Sequence, residues 1–187
     1  GDLIVVISQS GETADTLAAV RLANQKGAET LGIVNVYNST IAREVDNVIY
    51  SRAGPEISVA STKAFMSQLI LLYKIAYYLA DDKFQGELIS EKISEVLKLD
   101  SKIMTIAEKY YQYQHFFFIG RNINYPLALE GAIKLKEISY LHSEAYPAGE
   151  LKHGPLSLIS ADFPTVVICP LDSVYEKTFS NIQEIKA

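Results

Sequence analysis

An unbroken apolar run opens the chain, Leu3-Ile4-Val5-Val6-Ile7, and reads as a buried strand. It passes through a polar turn, Ser8-Gln9-Ser10-Gly11-Glu12-Thr13, into a helix-periodic stretch ending near Gly27. The same plan recurs later. Phe116-Phe117-Phe118-Ile119 leads through Gly120-Arg121-Asn122 into a helix expected from about Pro126 to Leu141. A proline is tolerated in the first turn of a helix, where its missing N–H has no intrahelical partner. Further short apolar runs predict strands at Thr30–Asn35, Val48–Ser51 and Thr165–Cys169, and a long helix follows Ser58 to about Ala80. Continuous apolar strands alternating with helices predict the α/β class. The expected architecture is a three-layer αβα sandwich with a doubly wound, mostly parallel sheet in two lobes.

Between the lobes, Asp81 to Gln114 is charged and helical in pattern. One apolar stripe joins Ile89, Ile93, Val96 and Leu97, and another joins Ile103, Ile106 and Ala107. The expected organisation is a first lobe at 1–85, a helical connection at 86–106 and a second lobe at 107–187. Both ends read as boundaries within a longer chain. Gly1-Asp2 runs straight into a strand, and the helical spacing of Tyr175, Phe179, Ile182 and Ile185 continues to the last residues.

Composition narrows the function. Hydrophobic residues make up 49 % of 187, enough for a sizeable core. A net charge of −5 argues against a nucleic-acid binder, which needs a basic face. The single cysteine, Cys169, has no disulfide partner and no ligand cluster around it, which fits a reducing cytoplasm. Phe65 to Leu79 is interrupted by Ser67, Gln68 and Lys74, too polar and short for a membrane span, and no signal peptide is recognisable.

Three segments carry candidate chemistry. In the first, a strand-to-helix turn rich in hydroxyls (Ser8, Ser10, Thr13) with the Gln9 amide suits a phosphomonoester. Helix N-termini offer N–H donors and partial positive charge, and Gly11 allows close backbone approach. Capping of the helix by Ser10 is the plainer alternative. A second hydroxyl group, Ser58, Ser61 and Thr62, opens the long helix, and capping again competes. In the second segment, Glu130, Lys134 and Glu137 fall within a stripe roughly 60° wide at ~100° per residue, away from Ala128, Gly131, Leu135 and Ile138. A carboxylate beside an ammonium stays ionised and can accept a proton. The alternative is an ordinary solvated Glu–Lys pair. The third is Gly149-Glu150-Leu151-Lys152-His153-Gly154-Pro155, whose glycines and proline predict a loop presenting His153 for proton transfer near neutrality. His115 and His142 read as structural, beginning a strand and ending a helix. The histidines lack metal-ligand spacing, so neither metal nor other cofactor is expected.

Taken together, Ser8–Thr13, Val59-Ala60-Ser61-Thr62-Lys63-Ala64-Phe65, Ala128 to Ile138 and Gly149 to Pro155 resemble, in order, the isomerase domain of the glutamine–fructose-6-phosphate aminotransferases (glucosamine-6-phosphate synthases). The first motif marks only the wider sugar-isomerase (SIS) superfamily, whereas the last two are more specific. The resemblance implies two SIS lobes and a homodimer with the sugar near the subunit interface. It implies fructose 6-phosphate as substrate and glucosamine 6-phosphate as product, in amino-sugar biosynthesis. Ser8, Gln9, Ser10 and Thr13 would hold the phosphate, and the Val59 backbone and Ser61 side chain would contact the sugar. Glu137 would be the base moving a proton between C1 and C2, with Lys134 assisting; Glu130 is a weaker candidate. His153 would open the ring, supplied by the partner subunit. No cofactor, nucleic acid or membrane is implied. A glutaminase domain, an earlier sugar-binding loop and a lysine-bearing tail are expected elsewhere in the full-length chain, so turnover by this segment alone is not expected. Other SIS readings are a fructosamine 6-phosphate deglycase, a ketose–aldose isomerase, or a sugar-phosphate sensor without catalysis. Dinucleotide binding is disfavoured because no G-x-G-x-x-G follows Ile7.

Overall fold

The computed structural model describes residues 1–187. It divides into two compact units, Gly1–Ile89 and Ser90–Ala187. In the first, β1 (Leu3–Ser8), β2 (Glu29–Val34) and β3 (Asn47–Tyr50) form a parallel sheet in that order, with Val6 opposite Gly32 and Gly32 opposite Val48. Helices α1 (Ala14–Gln25), α2 (Thr40–Glu44) and α3 (Lys63–Leu79) follow the strands. The core is Val6, Leu17, Val20, Val34 and Ile41, a cluster contributed by β1, α1, β2 and α2. Thr30 is fully buried at the start of β2. Its hydroxyl donates to Asp46 Oδ2 at 2.8 Å and accepts from the Asp46 N–H at 2.9 Å, so a polar pair closes the α2–β3 turn.

The expected strand at Leu3–Ile7 forms, but burial of its side chains does not. Only Val6 is buried, and Leu3, Ile4, Val5 and Ile7 stay exposed. β1 is an edge strand paired with β2 alone, so only part of its surface meets the core. Helix α2 was not anticipated; five residues are too few for a periodic signal.

The second unit holds most of α4 (Gly86–Leu97), then α5 (Asp100–Tyr110), β4 (His115–Gly120), α6 (Asn124–Ser139), β5 (His142–Pro147), β6 (Thr165–Ile168) and α7 (Tyr175–Lys186). Its parallel sheet runs β5-β4-β6, with Ile119 opposite both Tyr146 and Val167. The later strands flank β4 on both sides, so the winding reverses at β4. A reversal of this kind leaves a crevice at the carboxyl ends of the strands, where open α/β sheets bind ligands.

Several expectations are corrected here. The helix expected at Pro126–Leu141 runs from Asn124 to Ser139 and stops at Tyr140, which is left-handed at φ 60°. His142 therefore begins β5 rather than ending a helix, pairing in register with His115. That strand was hidden because His142–Pro147 is mostly polar or small. Ile138 lies exposed; the buried side of α6 is Asn124, Ala128 and Ala132. The stripe of Ile103, Ile106 and Ala107 lines an open apolar groove of about 700 Å³ with Phe116, Phe118 and Leu135. Val96 and Leu97 are likewise exposed.

Candidate functional site

At the carboxyl end of β1 the hydroxyl-rich turn is a closed loop. Ser8 is buried, and its Oγ accepts from the Gly11 N–H at 2.9 Å and lies 3.0 Å from Thr13 Oγ1. Ser10 Oγ accepts from the Glu12 N–H at 3.1 Å. Helix α1 starts with Thr13 as its N-cap residue, with no side-chain cap. Ser10 therefore shapes the turn and does not cap the helix. The Gly11 carbonyl accepts from Ile41 N at 2.9 Å, and Glu12 accepts from Thr40 N at 2.8 Å, so α2 holds the loop from behind. The Thr40 side chain, then its N–H, keeps the Glu12 carboxyl below its usual range, with Arg43 helping.

Gly11 has no substitute in this loop. Its φ is +69°, and an added Cβ would lie 2.0 Å from Ser39 Oγ. That hydroxyl is buried without a hydrogen-bond partner. A glycine here lets a buried serine pack directly under the turn.

The second hydroxyl cluster is arranged by Glu56. Its Oε1 accepts from Thr62 N at 3.2 Å and Ala64 N at 2.9 Å, with Ser61 Oγ at 3.5 Å. The carboxylate caps α3, and the Ser61 and Thr62 hydroxyls do not. These bonds, led by Ala64 N–H, hold the Glu56 carboxyl below its ordinary range. Val59 is 98 % exposed on the approach to the helix. Asn35 connects the strand ends: its N–H donates to Gln9 O, its amide donates to Gly54 O, and its Oδ1 accepts from Ser51 Oγ and Ala53 N. The loops carrying Gln9 and Gly54 are thus tied to one buried amide.

On α6 the stripe forms as the spacing predicts. Lys134 Nζ lies 2.5 Å from Glu137 Oε2 and 3.5 Å from Glu130 Oε1. The three side chains retain 22 %, 38 % and 26 % of their exposure, so the cluster is half-buried yet reachable. The Glu137 hydrogen bond raises the Lys134 pKa above its ordinary value, against partial burial, and Glu130 adds to the rise. Lys134 is therefore a fixed cation at neutral pH. This α6 face can take up and return a proton at a carboxylate while the ammonium stabilises negative charge nearby.

His153 lies in the segment between β5 and β6. It ends a 3₁₀ turn, Ala148–His153, and is exposed, with Gly154 at φ +138° after it. The loop expectation is corrected to a helical turn, whose buried Ala148 and Leu151 carry no period long enough to read.

The SIS-domain family model matches residues 1–77 and 109–186. The chain belongs to the SIS-domain family. Its whole length is 48 % identical to a glutamine–fructose-6-phosphate aminotransferase (isomerizing) of Aquifex aeolicus, over 32 % of that protein. It is 50 % identical to the namesake of Bradyrhizobium diazoefficiens, over 33 %. The chain thus spans about a third of the length of these curated relatives. It also superposes on the C-terminal domain of glucosamine-fructose-6-phosphate aminotransferase from Francisella tularensis, with TM-score 0.88 and 43 % identity, covering 100 % of this chain and 57 % of that one. A glucosamine-6-phosphate deaminase from Thermotoga maritima gives TM-score 0.80 at 25 % identity, covering 99 % and 57 %. No helix is long and apolar enough to cross a membrane.

Within this SIS chain the structure brings Ser8, Gln9, Ser10 and Thr13 into one loop. Val59 and Ser61 lie in the segment just before α3, and Lys134 joins Glu137 and Glu130 on α6. Sequence reasoning missed Asn35, Ser39, Glu56 and Arg121. The first three act through backbone groups or bare packing, which leave no spacing signature. Arg121 directly follows Gly120, whose added Cβ would lie 2.3 Å from Asn124 O, so α6 starts hard against the strand end.

Proposed function

We propose that this chain is the isomerase part of a cytoplasmic, homodimeric enzyme that makes glucosamine 6-phosphate from fructose 6-phosphate and glutamine. The ammonia source is a glutaminase domain of the full-length protein. The Ser8–Thr13 loop takes the phosphate through hydroxyls, an amide and the α1 N-terminus. Val59 and Ser61 contact the sugar. The observation carrying the reading is the Lys134 ammonium held between Glu137 and Glu130 on one helix.

The chemistry needs two proton movements. His153 opens the furanose by passing a proton to the ring oxygen as the C2 hydroxyl gives up its own and the C2–O5 bond breaks. Ammonia adds to the C2 carbonyl and the oxygen leaves as water, giving a protonated imine. Glu137 then removes a proton from C1, leaving an enolamine, and returns it to C2 as O1 releases its hydroxyl proton to solvent, which makes C1 the aldehyde and C2 the amine-bearing carbon. Lys134 balances the charge that develops on O1.

A second reading, a deaminase or deglycase of amino-sugar phosphates, is supported by the likeness to the Thermotoga structure. The higher identity to the aminotransferases favours the first reading. Calorimetric titration of the full-length protein with glucosamine 6-phosphate, glucosamine and inorganic phosphate tests the assignment. Tight binding of the phosphosugar alone, weakened by Ser10→Ala, is expected. Equal binding of free glucosamine, or no weakening, contradicts it. Glutamine-dependent product formation separates the two readings.

A further inference from the structure

Residues from two other elements converge on the 3₁₀ turn that ends in His153. Its inner side is apolar: Ala148 and Leu151 are fully buried against Ile119, with Ile185 of α7 packed on the cluster. Residues three apart eclipse in a 3₁₀ turn, so this pair fixes one side and leaves Lys152 and His153 outward.

The outer side is held by polar contacts. Arg121, at the carboxyl end of β4, lays its guanidinium along Gly149. A Cβ at Gly149 would meet Nη2 at 3.2 Å and Nη1 at 3.4 Å. Arg121 Nη2 donates to Asn181 Oδ1 at 3.0 Å, and Asn181 Nδ2 donates to Glu184 Oε2 at 3.1 Å. Glu184 Oε1 then takes the Lys152 ammonium at 2.8 Å. The chain of contacts runs from the β4 end through α7 to the residue next to His153. Arg121 Nε is buried without a partner, so the guanidinium is located through Nη2 and its packing on Gly149.

We infer that Arg121, Asn181 and Glu184 are positioning residues for His153, setting the turn from which it reaches the sugar ring. This rests on the ring-opening role given to His153 above. Lys152 is 60 % exposed in its pair with Glu184, and exposed pairs contribute little to stability. The network acts on geometry, and small misplacement of a catalytic group is costly.

The test uses the full-length protein and two substrates. Fructose 6-phosphate must be ring-opened; 5-deoxyfructose 6-phosphate lacks the hydroxyl that closes the furanose and is always open. His153→Ala is expected to slow fructose 6-phosphate by roughly a hundredfold or more and to spare the open substrate. If it shows no such split, the reading of His153 itself falls. Given that split, Glu184→Gln and Asn181→Ala should show the same one, with kcat on fructose 6-phosphate down about tenfold to a hundredfold and the open substrate little changed. Glu184→Asp should recover part of the loss. Equal loss on both substrates, or none on either, overturns the inference while leaving His153 its role. Arg121→Met is a further arm; should it fail to fold, Glu184→Gln, at a side chain 26 % exposed, still carries the test.

Discussion

Gly11→Ala probes the loop most sharply, because two separable costs fall on one atom. The φ of +69° is left-handed, which costs an L-residue about 1 kcal/mol relative to glycine. The new Cβ would also stand 2.0 Å from Ser39 Oγ and 2.5 Å from Ser39 Cβ, so Ser39 or the loop must shift. Forced repacking of a buried site adds about 1–3 kcal/mol. The sum, about 2–4 kcal/mol, should lower the melting temperature by roughly 4–16 °C for a chain of this size. Urea unfolding followed by far-UV circular dichroism measures it. The double variant Gly11→Ala/Ser39→Gly removes the clash and keeps the backbone cost, so it should recover the repacking part and retain about 1 kcal/mol. Glucosamine 6-phosphate binding should weaken in the single variant, since the loop shape sets the donors. A Gly11→Ala protein that melts with the parent, or a double variant no better than the single, refutes this account of the loop.

Further outcomes follow from the same contacts. Leu151→Ala, at a fully buried site under the His153 turn, should cost about 2–4 kcal/mol by denaturant unfolding. Glu56→Ala should expose the first amides of α3 to faster hydrogen exchange, because two backbone N–H groups lose their acceptor. The Asp46 carboxyl is held below its ordinary value of 3.8, first by the Thr30 hydroxyl. A depressed folded-state pKa gives stability that is present above the unfolded value and lost as pH falls through the folded one, so Thr30→Val should flatten the acid limb of a stability–pH curve. Lys134→Met leaves two carboxylates on one stripe without their cation. With no cation left beside the reacting oxygens, product formation by the full-length protein should fall by roughly a hundredfold.

Periodicity and punctuation made the strand–turn–helix units, the α6 stripe and the hydroxyl-rich loop legible in the sequence. Each rests on side-chain order along one element. β5 was not legible, because Ser143 and Ala145 pack without bulk and Ser143 instead donates to Ala132 O. The capping alternative fails for a related reason. Ser10 and Thr62 stood at the expected positions, yet the contacts chosen were a local turn for Ser10 and the Glu56 carboxylate for α3. The support around Gly11 and the Arg121–Asn181 contact depend on residues 28 and 60 positions apart meeting in space, which no local pattern encodes.

Everything in the proposed reaction turns on Glu137 as the base that moves the proton between C1 and C2. That role is tested most directly by Glu137→Gln in the full-length protein, with glucosamine 6-phosphate in deuterated water. Binding by calorimetry should be nearly unchanged, while deuterium exchange at the C2 position and product formation both collapse. Exchange at the parental rate in the Gln variant contradicts it and moves the base elsewhere.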